Sequence, residues 1–274
     1  MLDVGKLEAI SKSLRVDILK MISIAGSGHP GGSLSAIDLI TYLYFHQMQL
    51  DPQNPHYEER DRFILSKGHC CPALYTALSE RGYFPREVLW TLRDIDGVLQ
   101  GHPDMRRTPG VDMTTGSLGH GLSCGVGMAI GGKTQQREFR VYVMMGDGEI
   151  ESGQVWEAAM AAAHYRLDNL VAIIDKNGLQ CDGRTEMIMN AESLGAKWTA
   201  FNWDVHEIDG HDFEEIDKAI QACQEMNGKP KLIIAKTIKG KGVSFMEDQA
   251  IWHGLPPTEE QLSEAISEIR GEKR

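Results

Sequence analysis

The sequence predicts an α/β fold in which a parallel sheet carries helices on both of its faces. Three short apolar runs, at residues 140–145, 170–175 and 231–237, have the length and the apolar character of buried parallel strands. Segments at 153–166 and 212–226 have helical patterns and lie between these runs. Strands that alternate with helices along a chain are typical of a parallel sheet covered on both sides.

The remaining segments add elements of the same kind. Leu7–Ile24 has apolar residues at helical spacing, and Ser33 or Ser35 could cap a second helix that runs through Phe45. Arg62–Leu65 is predicted to be a short strand. Further along, we expect helices at 72–81, 85–94 and 122–131, a strand at 204–208, and a helix at 258–269 capped by Thr258. With no internal repeat or linker, we expect one domain, residues 1–274, with a C-terminal helical extension from about residue 255 to 274.

Composition and charge argue against several classes of binding partner and cellular location. The 274 residues carry a net charge of −11 with interspersed charges, which argues against a nucleic-acid or lipid-surface role. No apolar stretch is long enough to span a membrane, and the N-terminus lacks a signal-peptide pattern. The five cysteines match neither a zinc motif nor a disulfide framework, so we expect free thiols in a reducing cytoplasm.

Two polar positions follow neighbouring apolar runs. Gly146-Asp147-Gly148 comes directly after the run at 140–145, and Asn177 follows the run at 170–175. Ligands of open α/β sheets bind beyond the carboxyl ends of the strands. A carboxylate and an amide oxygen are hard donors that suit Mg²⁺, and glycine backbone lets N–H groups approach phosphate. The spacing therefore predicts a metal–diphosphate site.

Histidines in glycine- or proline-flanked loops form a second group of candidates: His29, His69, His102 and His253. A single loop histidine is more often a surface or hydrogen-bonded structural residue. Their shared context favours a pocket, where they could bind hydroxyls, donate to phosphate or move protons near neutral pH. Their spacing does not match a zinc motif.

Three further segments have competing interpretations. The glycine-rich stretch 114–121 could pack a helix closely against a strand or could form a second surface for a cofactor, but it is not a dinucleotide fingerprint. The segment Ala158–Ala163 is rich in Ala and Met, and we expect it to be a helix packed closely on the sheet or on a neighbouring subunit. Lys236–Lys241 is basic and contains glycine, and we interpret it as a solvated turn in preference to a substrate site.

Taken together, these motifs resemble the N-terminal, diphosphate-binding domain of transketolase over nearly the whole chain. The resemblance is carried by Ser27-Gly28-His29-Pro30-Gly31, Asp61-Arg62-Phe63, Lys67-Gly68-His69, Gly101-His102-Pro103, Thr114-Thr115-Gly116-Ser117-Leu118-Gly119, Gly146-Asp147-Gly148, Asp175-Lys176-Asn177-Gly178, Asp209-Gly210-His211-Asp212 and His253-Gly254. The ordered set separates the chain from other thiamin-diphosphate enzymes, which chiefly share the metal motif.

The resemblance implies a thiamin-diphosphate-binding (PP-type) fold, with thiamin diphosphate and Mg²⁺, or Ca²⁺ or Mn²⁺ in its place. It assigns the metal to Asp147, Asn177 and the backbone carbonyl of Leu179. It places Cys181 at a cofactor-facing position that is usually aliphatic. The implied cofactor contacts are His69, Gly116, Ser117, Leu118, Gly146, Asp147, Gly148, Glu149, Asn177, Leu179, Cys181 and His253, and the implied catalytic, donor-facing residues are His29, His102 and His253.

The family's longer members continue into a pyrimidine-binding domain and a C-terminal domain. The resemblance therefore implies a split transketolase, in which this chain and a separate C-terminal subunit form an α2β2 assembly that acts on sugar phosphates. Ser152 replaces a usual glutamate and His120 replaces a common glutamine, and neither receives a role. Alternatives are the α subunit of a 2-oxoacid dehydrogenase, a deoxyxylulose-phosphate synthase and a non-catalytic cofactor-binding subunit. The donor-facing histidines speak against the first two.

Overall fold

A five-stranded, all-parallel sheet forms the centre of the fold. The computed structural model describes residues 1–272, and the last two residues of the predicted extension, 273–274, lie outside the described residues. The strands are β1 (Arg62–Leu65), β2 (Val141–Gly146), β3 (Leu170–Lys176), β4 (Leu179–Gln180), β5 (Gly183–Arg184), β6 (Asp204–Asp209) and β7 (Lys231–Lys236). The sheet has the order β1-β2-β3-β7-β6, and β4 and β5 form a separate antiparallel pair.

Helices surround the sheet. The α-helices are α1 (Val4–Ala25), α2 (Pro30–Tyr42), α3 (Cys71–Arg81), α4 (His120–Thr134), α5 (Gly153–His164), α6 (Thr185–Ile188), α7 (Leu194–Ala200), α8 (Phe213–Ala222) and α9 (Glu259–Arg270). Within residues 1–272, no helix combines the length and the apolar character that a membrane crossing requires.

The side chains of the sheet divide between two hydrophobic cores. Along β3, Val171 and Ile173 join the core that contains residues of α1, α2, α3, α8 and α9. The alternate residues Ala172 and Ile174 join the other core, with residues of α4, α5 and α7. Because successive side chains of a strand point to opposite faces, this division shows that helices cover both faces. The predicted α/β fold class is confirmed.

The predicted elements are present, with differences at their ends and, for one helix, in its type. The second helix begins at Pro30, so the prediction that Ser33 or Ser35 caps it is wrong. Proline suits the first turn of a helix because it lacks an N–H group. Ser35 instead donates from inside the helix to Asp175, at 2.6 Å. The predicted helix at 85–94 is a 3₁₀ segment, Arg86–Thr91.

The C-terminal helix has the start that the sequence predicts. The Thr258 hydroxyl accepts a hydrogen bond from the Gln261 N–H, and the Gln261 side chain accepts one from the Thr258 N–H, which is a capping box. Ala265 and Ile269 of this helix are buried in the core that contains α1. The helix therefore packs on the domain, although the assignment of residues 1–274 to one domain with an extension stays a prediction.

The parallel arrangement brings the strand ends together. Lys67 follows β1, Asp147 follows β2 and Asn177 follows β3, while Thr237 follows the neighbouring β7. In the register of the sheet Gly146 pairs with Asp175, so these segments leave the same edge at similar heights. That edge carries the candidate site.

Candidate active site

A cleft of about 500 Å³ lies at the carboxyl edge of the sheet. It brings together residues from α2, from the segments that follow β1, β2, β3 and β7, and from the glycine-rich stretch before α4. The sequence-predicted residues that line it are His29, His69, His102, Gly116, Leu118, Gly146, Asp147, Gly148, Glu149, Asn177, Leu179, Cys181 and His253. Ser117 is the exception, because it is exposed between two lining residues.

Three of the histidines form a triangle inside the cleft. The ring centroids of His29 and His69 are 5.1 Å apart, those of His29 and His253 are 5.4 Å apart, and those of His69 and His253 are 5.2 Å apart. His102 stands beside Gly116, where an added Cβ would lie 3.2 Å from the His102 ring. Gly116 has a φ of +146°, which other residues rarely adopt, so glycine there permits both the backbone conformation and this approach.

The histidine rings are neutral near pH 7. Burial is the main cause that lowers the pKa of His29 to about 4, and electrostatic repulsion from His69 is the second. Burial is also the main cause that lowers the pKa of His69 to about 4, and the positive charge of Lys67 is the second. For His253, burial and then the positive charge of Lys239 lower the pKa to about 3. The His29 Nδ1 atom is buried and has no hydrogen-bond partner among residues 1–272. A neutral ring with a free nitrogen can donate to or accept from a hydroxyl group of a substrate.

Lys239 fixes the orientation of His253. Lys239 is 2% exposed, and its Nζ lies 3.1 Å from His253 Nδ1 and 3.2 Å from the carbonyl oxygen of Leu179. Because an ammonium group only donates, Nδ1 accepts and the proton of the neutral ring stands on Nε2. That Nε2 lies 3.3 Å from Cys181 Sγ. The interpretation of Lys236–Lys241 as a solvated turn is therefore wrong at Lys239, which is buried and lines the cleft.

Asp147 presents a buried carboxylate whose hydrogen-bond donors are backbone amides. It accepts from the N–H of Gly148 at 3.0 Å and from that of Gly178 at 2.6 Å. Burial, followed by the charge of Asp175, raises the pKa of Asp147 to about 6. A cation bound at this carboxylate would relieve both effects, because it favours the ionised form.

The other predicted metal ligands fit a hard cation as well. Asn177 and Leu179 line the cleft beside Asp147, and each has an oxygen to offer. The Leu179 carbonyl accepts from Lys239, but a carbonyl oxygen has a second lone pair. Among the described residues, no group of three or more His, Cys, Asp and Glu side chains could hold a metal. A cation here would therefore depend on amide and backbone oxygens in addition to one carboxylate, which is a donor set that suits Mg²⁺.

Glu149 holds two walls of the cleft together. Its carboxylate accepts from the N–H of Gly119 at 2.8 Å, from the N–H of Gly146 at 3.0 Å, and from the Ser66 hydroxyl. Burial raises its pKa. Although it lines the cleft as predicted for a cofactor contact, its oxygens bind the protein's own segments.

A second cavity, of about 460 Å³, lies between α1, α9 and the segment after β7. Its buried charged groups are paired with one another. Arg15 donates to Asp38 at 2.6 and 2.9 Å, and His211 Nδ1 lies 2.7 Å from the same carboxylate. This network leaves its central groups engaged, so the cleft with the histidines is the stronger candidate.

Comparison with known proteins identifies the family. The family model described as the thiamine diphosphate binding domain of transketolase matches residues 7–271. The chain belongs to the transketolase family. The predicted resemblance is confirmed.

Relatives of similar length support the assignment. One relative is a subunit of apulose-4-phosphate transketolase from Phocaeicola vulgatus, which is 47% identical over 268 residues, with 98% of this chain and 95% of that protein covered. Another is the 6-deoxy-6-sulfo-D-fructose transketolase subunit SqwG of a Clostridium species, which is 48% identical over 254 residues, with 93% and 92% covered. Each is named as a subunit of a transketolase.

Solved structures of transketolase have the same fold over a longer chain. The enzyme from Campylobacter jejuni superposes with a TM-score of 0.93 at 32% identity, covering 98% of this chain and 43% of that one. The chain thus spans about two fifths of the length of this solved transketolase.

Two lysines in the cleft of this transketolase-family chain were not predicted from the sequence to be site residues. Lys67 and Lys239 both line it and are almost fully buried. Lys67 stands in one of the family motifs, two residues before His69, and its position after a strand was the available signal. Lys239 had a similar signal, because it follows β7 by three residues, but its glycine neighbours suggested a solvated turn. His120, which received no role, is exposed, and its Nδ1 lies 2.9 Å from Gln154 Nε2.

Proposed function

We propose that this chain binds thiamin diphosphate with Mg²⁺ and, together with a separate subunit, transfers a two-carbon ketol unit from a ketose phosphate to an aldose phosphate. The observation that carries the proposal is the cleft at the carboxyl edge of the sheet. It combines a buried carboxylate, Asp147, with two buried lysines and a triangle of neutral histidines. Membership of the transketolase family supports it.

Different residues of this chain would bind the cation and the diphosphate. Asp147, Asn177 and the Leu179 carbonyl would hold the cation, which Ca²⁺ or Mn²⁺ could replace. Gly148, His69 and the ammonium of Lys239 would bind the diphosphate, since N–H donors and a cation suit its charge. When bound, thiamin diphosphate supplies a carbanion nucleophile and an electron sink for cleavage of a carbon–carbon bond. In this proposal Gly146, Gly116, Ser117, Leu118 and Cys181 lie close to the cofactor.

The histidines would face the sugar. His29, with its free Nδ1, is suited to bind a hydroxyl group or to hold the proton that moves as the sugar carbonyl changes to an alcohol. His102 and His253 would bind neighbouring hydroxyls. A low pKa keeps the rings of His29 and His253 uncharged. The free Nδ1 of His29 can then accept or donate, whereas His253, whose Nδ1 accepts from Lys239, can donate from Nε2.

A second subunit would supply the pyrimidine-binding part of the site, in an α2β2 assembly located in the cytoplasm. The relatives that this chain matches along nearly their whole length are named as subunits, which supports a partner. All five cysteines lie within the described residues and are free thiols, which fits a reducing compartment. Light scattering on the mixed, purified subunits measures the stoichiometry, and a mass other than that of two copies of each would contradict α2β2.

The test of function is a ketol-transfer assay on this chain, on a candidate partner subunit sought in the adjacent genes, and on their mixture. We expect activity in the mixture only, with thiamin diphosphate and Mg²⁺ present. Full activity of this chain alone would contradict a split enzyme. A mixture that binds thiamin diphosphate and still transfers no two-carbon unit from any sugar tested would favour the non-catalytic alternative.

The cofactor site is tested by calorimetry. Asp147→Ala should abolish the binding of thiamin diphosphate, because it removes the carboxylate that would hold the cation. Asp182→Asn is the matched control, since Asp182 lines the same cleft at an exposed position. Unchanged affinity in the Asp147 variant would refute the metal assignment.

The sugar side of the site is tested by His29→Ala. This variant should lower turnover by about 10²–10⁴-fold while it leaves the affinity for thiamin diphosphate nearly intact. Equal losses in turnover and in cofactor affinity would contradict a role toward the sugar.

The donor sugar is the next question. The relatives are named for apulose 4-phosphate and for 6-deoxy-6-sulfo-D-fructose, so the assay panel includes both, with an ordinary pentose phosphate and a 2-oxoacid. A preference for the 2-oxoacid would favour the dehydrogenase or deoxyxylulose-phosphate synthase alternatives.

A further inference from the structure

A buried ion pair lies beneath the cleft. Lys67 is 2% exposed and Asp175 is fully buried, and Lys67 Nζ contacts Asp175 Oδ2. Lys67 follows β1, whereas Asp175 belongs to β3, and β2 lies between these strands. The lysine side chain passes the end of β2, where an added Cβ on Gly146 would lie 3.7 Å from Lys67 Cδ. The pair therefore spans the strand end that leads into Asp147.

Both charged groups have further partners. Asp175 accepts hydrogen bonds from the hydroxyls of Ser35, at 2.6 Å, and of Thr237. Lys67 also donates to the carbonyl of Gly32, at 3.0 Å. A buried ion pair is weak evidence of a contribution to stability, because removing two ions from water is costly. The position of this pair calls for an explanation in terms of the cleft above it.

The negative charge of Asp175 explains the position of Lys67. The charge of Asp175 acts on Asp147, which lines the cleft beside Gly148, and Asp175 is paired with Lys67, which also lines it. An unpaired Asp175 would repel a diphosphate strongly, since water does not screen a fully buried charge. Lys67 cancels the charge of Asp175 and also lines the cleft.

We infer that Lys67 is a positioning residue that sets the affinity of the cleft for a magnesium-bound diphosphate by neutralising Asp175. The inference rests on the proposed function and deepens it. Of the two buried aspartates, Asp147 is then the one that lacks an ion-pair partner, and the bound cation would neutralise it.

Calorimetry with inorganic diphosphate in excess Mg²⁺ tests this inference on four proteins. These are the unmodified chain, Lys67→Met, Asp175→Asn and the double variant. Lys67→Met should weaken binding by at least about tenfold, because it leaves a buried carboxylate uncompensated. Asp175→Asn should bind as tightly as the unmodified chain or more tightly, since it leaves the cation of Lys67 unpaired beside the anion. The double variant should recover most of the lost affinity.

Lys231→Met is the matched control. Lys231 is fully buried and paired with Asp204 at 3.0 Å, but it lies at the opposite end of β7 from the cleft. Its loss measures the general effect of removing a buried lysine, and its diphosphate affinity should equal that of the unmodified chain.

The outcomes separate the explanations. Weaker binding by Asp175→Asn, or a folded double variant as weak as Lys67→Met, would overturn the inference and favour a purely structural role. If Lys67→Met fails to fold, the sign of the Asp175→Asn effect still decides. Absence of binding by the unmodified chain would overturn the proposed cofactor site, and the inference with it.

Discussion

Replacing Asp147 by asparagine is expected to flatten the pH dependence of the stability of the metal-free chain. Asp147 is 6% exposed, and the pKa of its carboxyl group is raised from 3.8 to about 6 by burial and by the charge of Asp175. A group whose pKa is higher in the folded state stabilises the fold fully below its unfolded pKa. It loses that contribution as the pH rises through the folded value.

The magnitude follows from the size of the rise. Since each tenfold change in a proton equilibrium corresponds to about 1.4 kcal/mol, a rise from 3.8 to about 6 corresponds to about 3 kcal/mol, of which about 2 kcal/mol is lost between about pH 4.5 and 7. Asparagine does not titrate, so this loss disappears in the variant. The variant also loses one hydrogen bond, to Gly148 or Gly178, but that cost is the same at every pH.

Urea unfolding of both proteins in the presence of a chelator, at several pH values between about 4.5 and 7, measures the effect. The difference in unfolding free energy between variant and unmodified chain should rise with pH by about 2 kcal/mol. Other titrating groups, such as the cleft histidines, are present in both proteins and largely cancel. A difference that stays constant over this range would refute the argument that burial and the charge of Asp175 raise the pKa of Asp147.

Three further predictions use other parts of the chain. Cys181 is the one exposed cysteine among the described residues, so a maleimide should label it first, and magnesium–thiamin diphosphate should slow that labelling; equal rates with and without the cofactor would argue against its place in the cofactor cleft. Gly121→Ala should lower the unfolding free energy by about 1–3 kcal/mol, because the new Cβ would collide with Ser66, whose Cα is 2.9 Å away. Gly127→Ala, on the open side of the same helix, is its control and should be neutral or stabilising by up to about 1 kcal/mol in the same urea titration. Thr258→Ala should cost about 1 kcal/mol by removing the capping box, and an unchanged denaturation midpoint would contradict a contribution of that cap.

The sequence predicted the parts of the site in which a polar residue directly follows a strand. Asp147 and Asn177 end neighbouring apolar runs, and in a parallel sheet the ends of such runs must meet at one edge. The histidines were recognisable because glycine and proline mark their loops. Periodicity and these loop signals were therefore enough to indicate Asp147, Asn177 and the histidine loops, whereas the full set of cofactor contacts was what the resemblance to transketolase implied.

What the sequence did not predict depends on contacts between distant segments. Lys239 looked like a solvated residue, since burial of a lysine is decided by its partners, here the Leu179 carbonyl and His253. The start of α2 was misplaced because serine is a frequent cap, whereas Ser35 is needed inside the fold to bind Asp175. In both cases, a tertiary partner outweighs the local preference.

The order of the strands has a consequence for biosynthesis. Among the described residues, β7 is the last strand of the five-stranded sheet in chain order, and it lies between β3 and β6, so these two strands have open edges until it forms. The cleft has lining residues from His29 to His253, so it is complete only when the chain through His253 has left the ribosome. Cofactor binding therefore cannot stabilise a nascent chain that has not reached His253, and before β7 forms that chain has open strand edges, which are prone to aggregate.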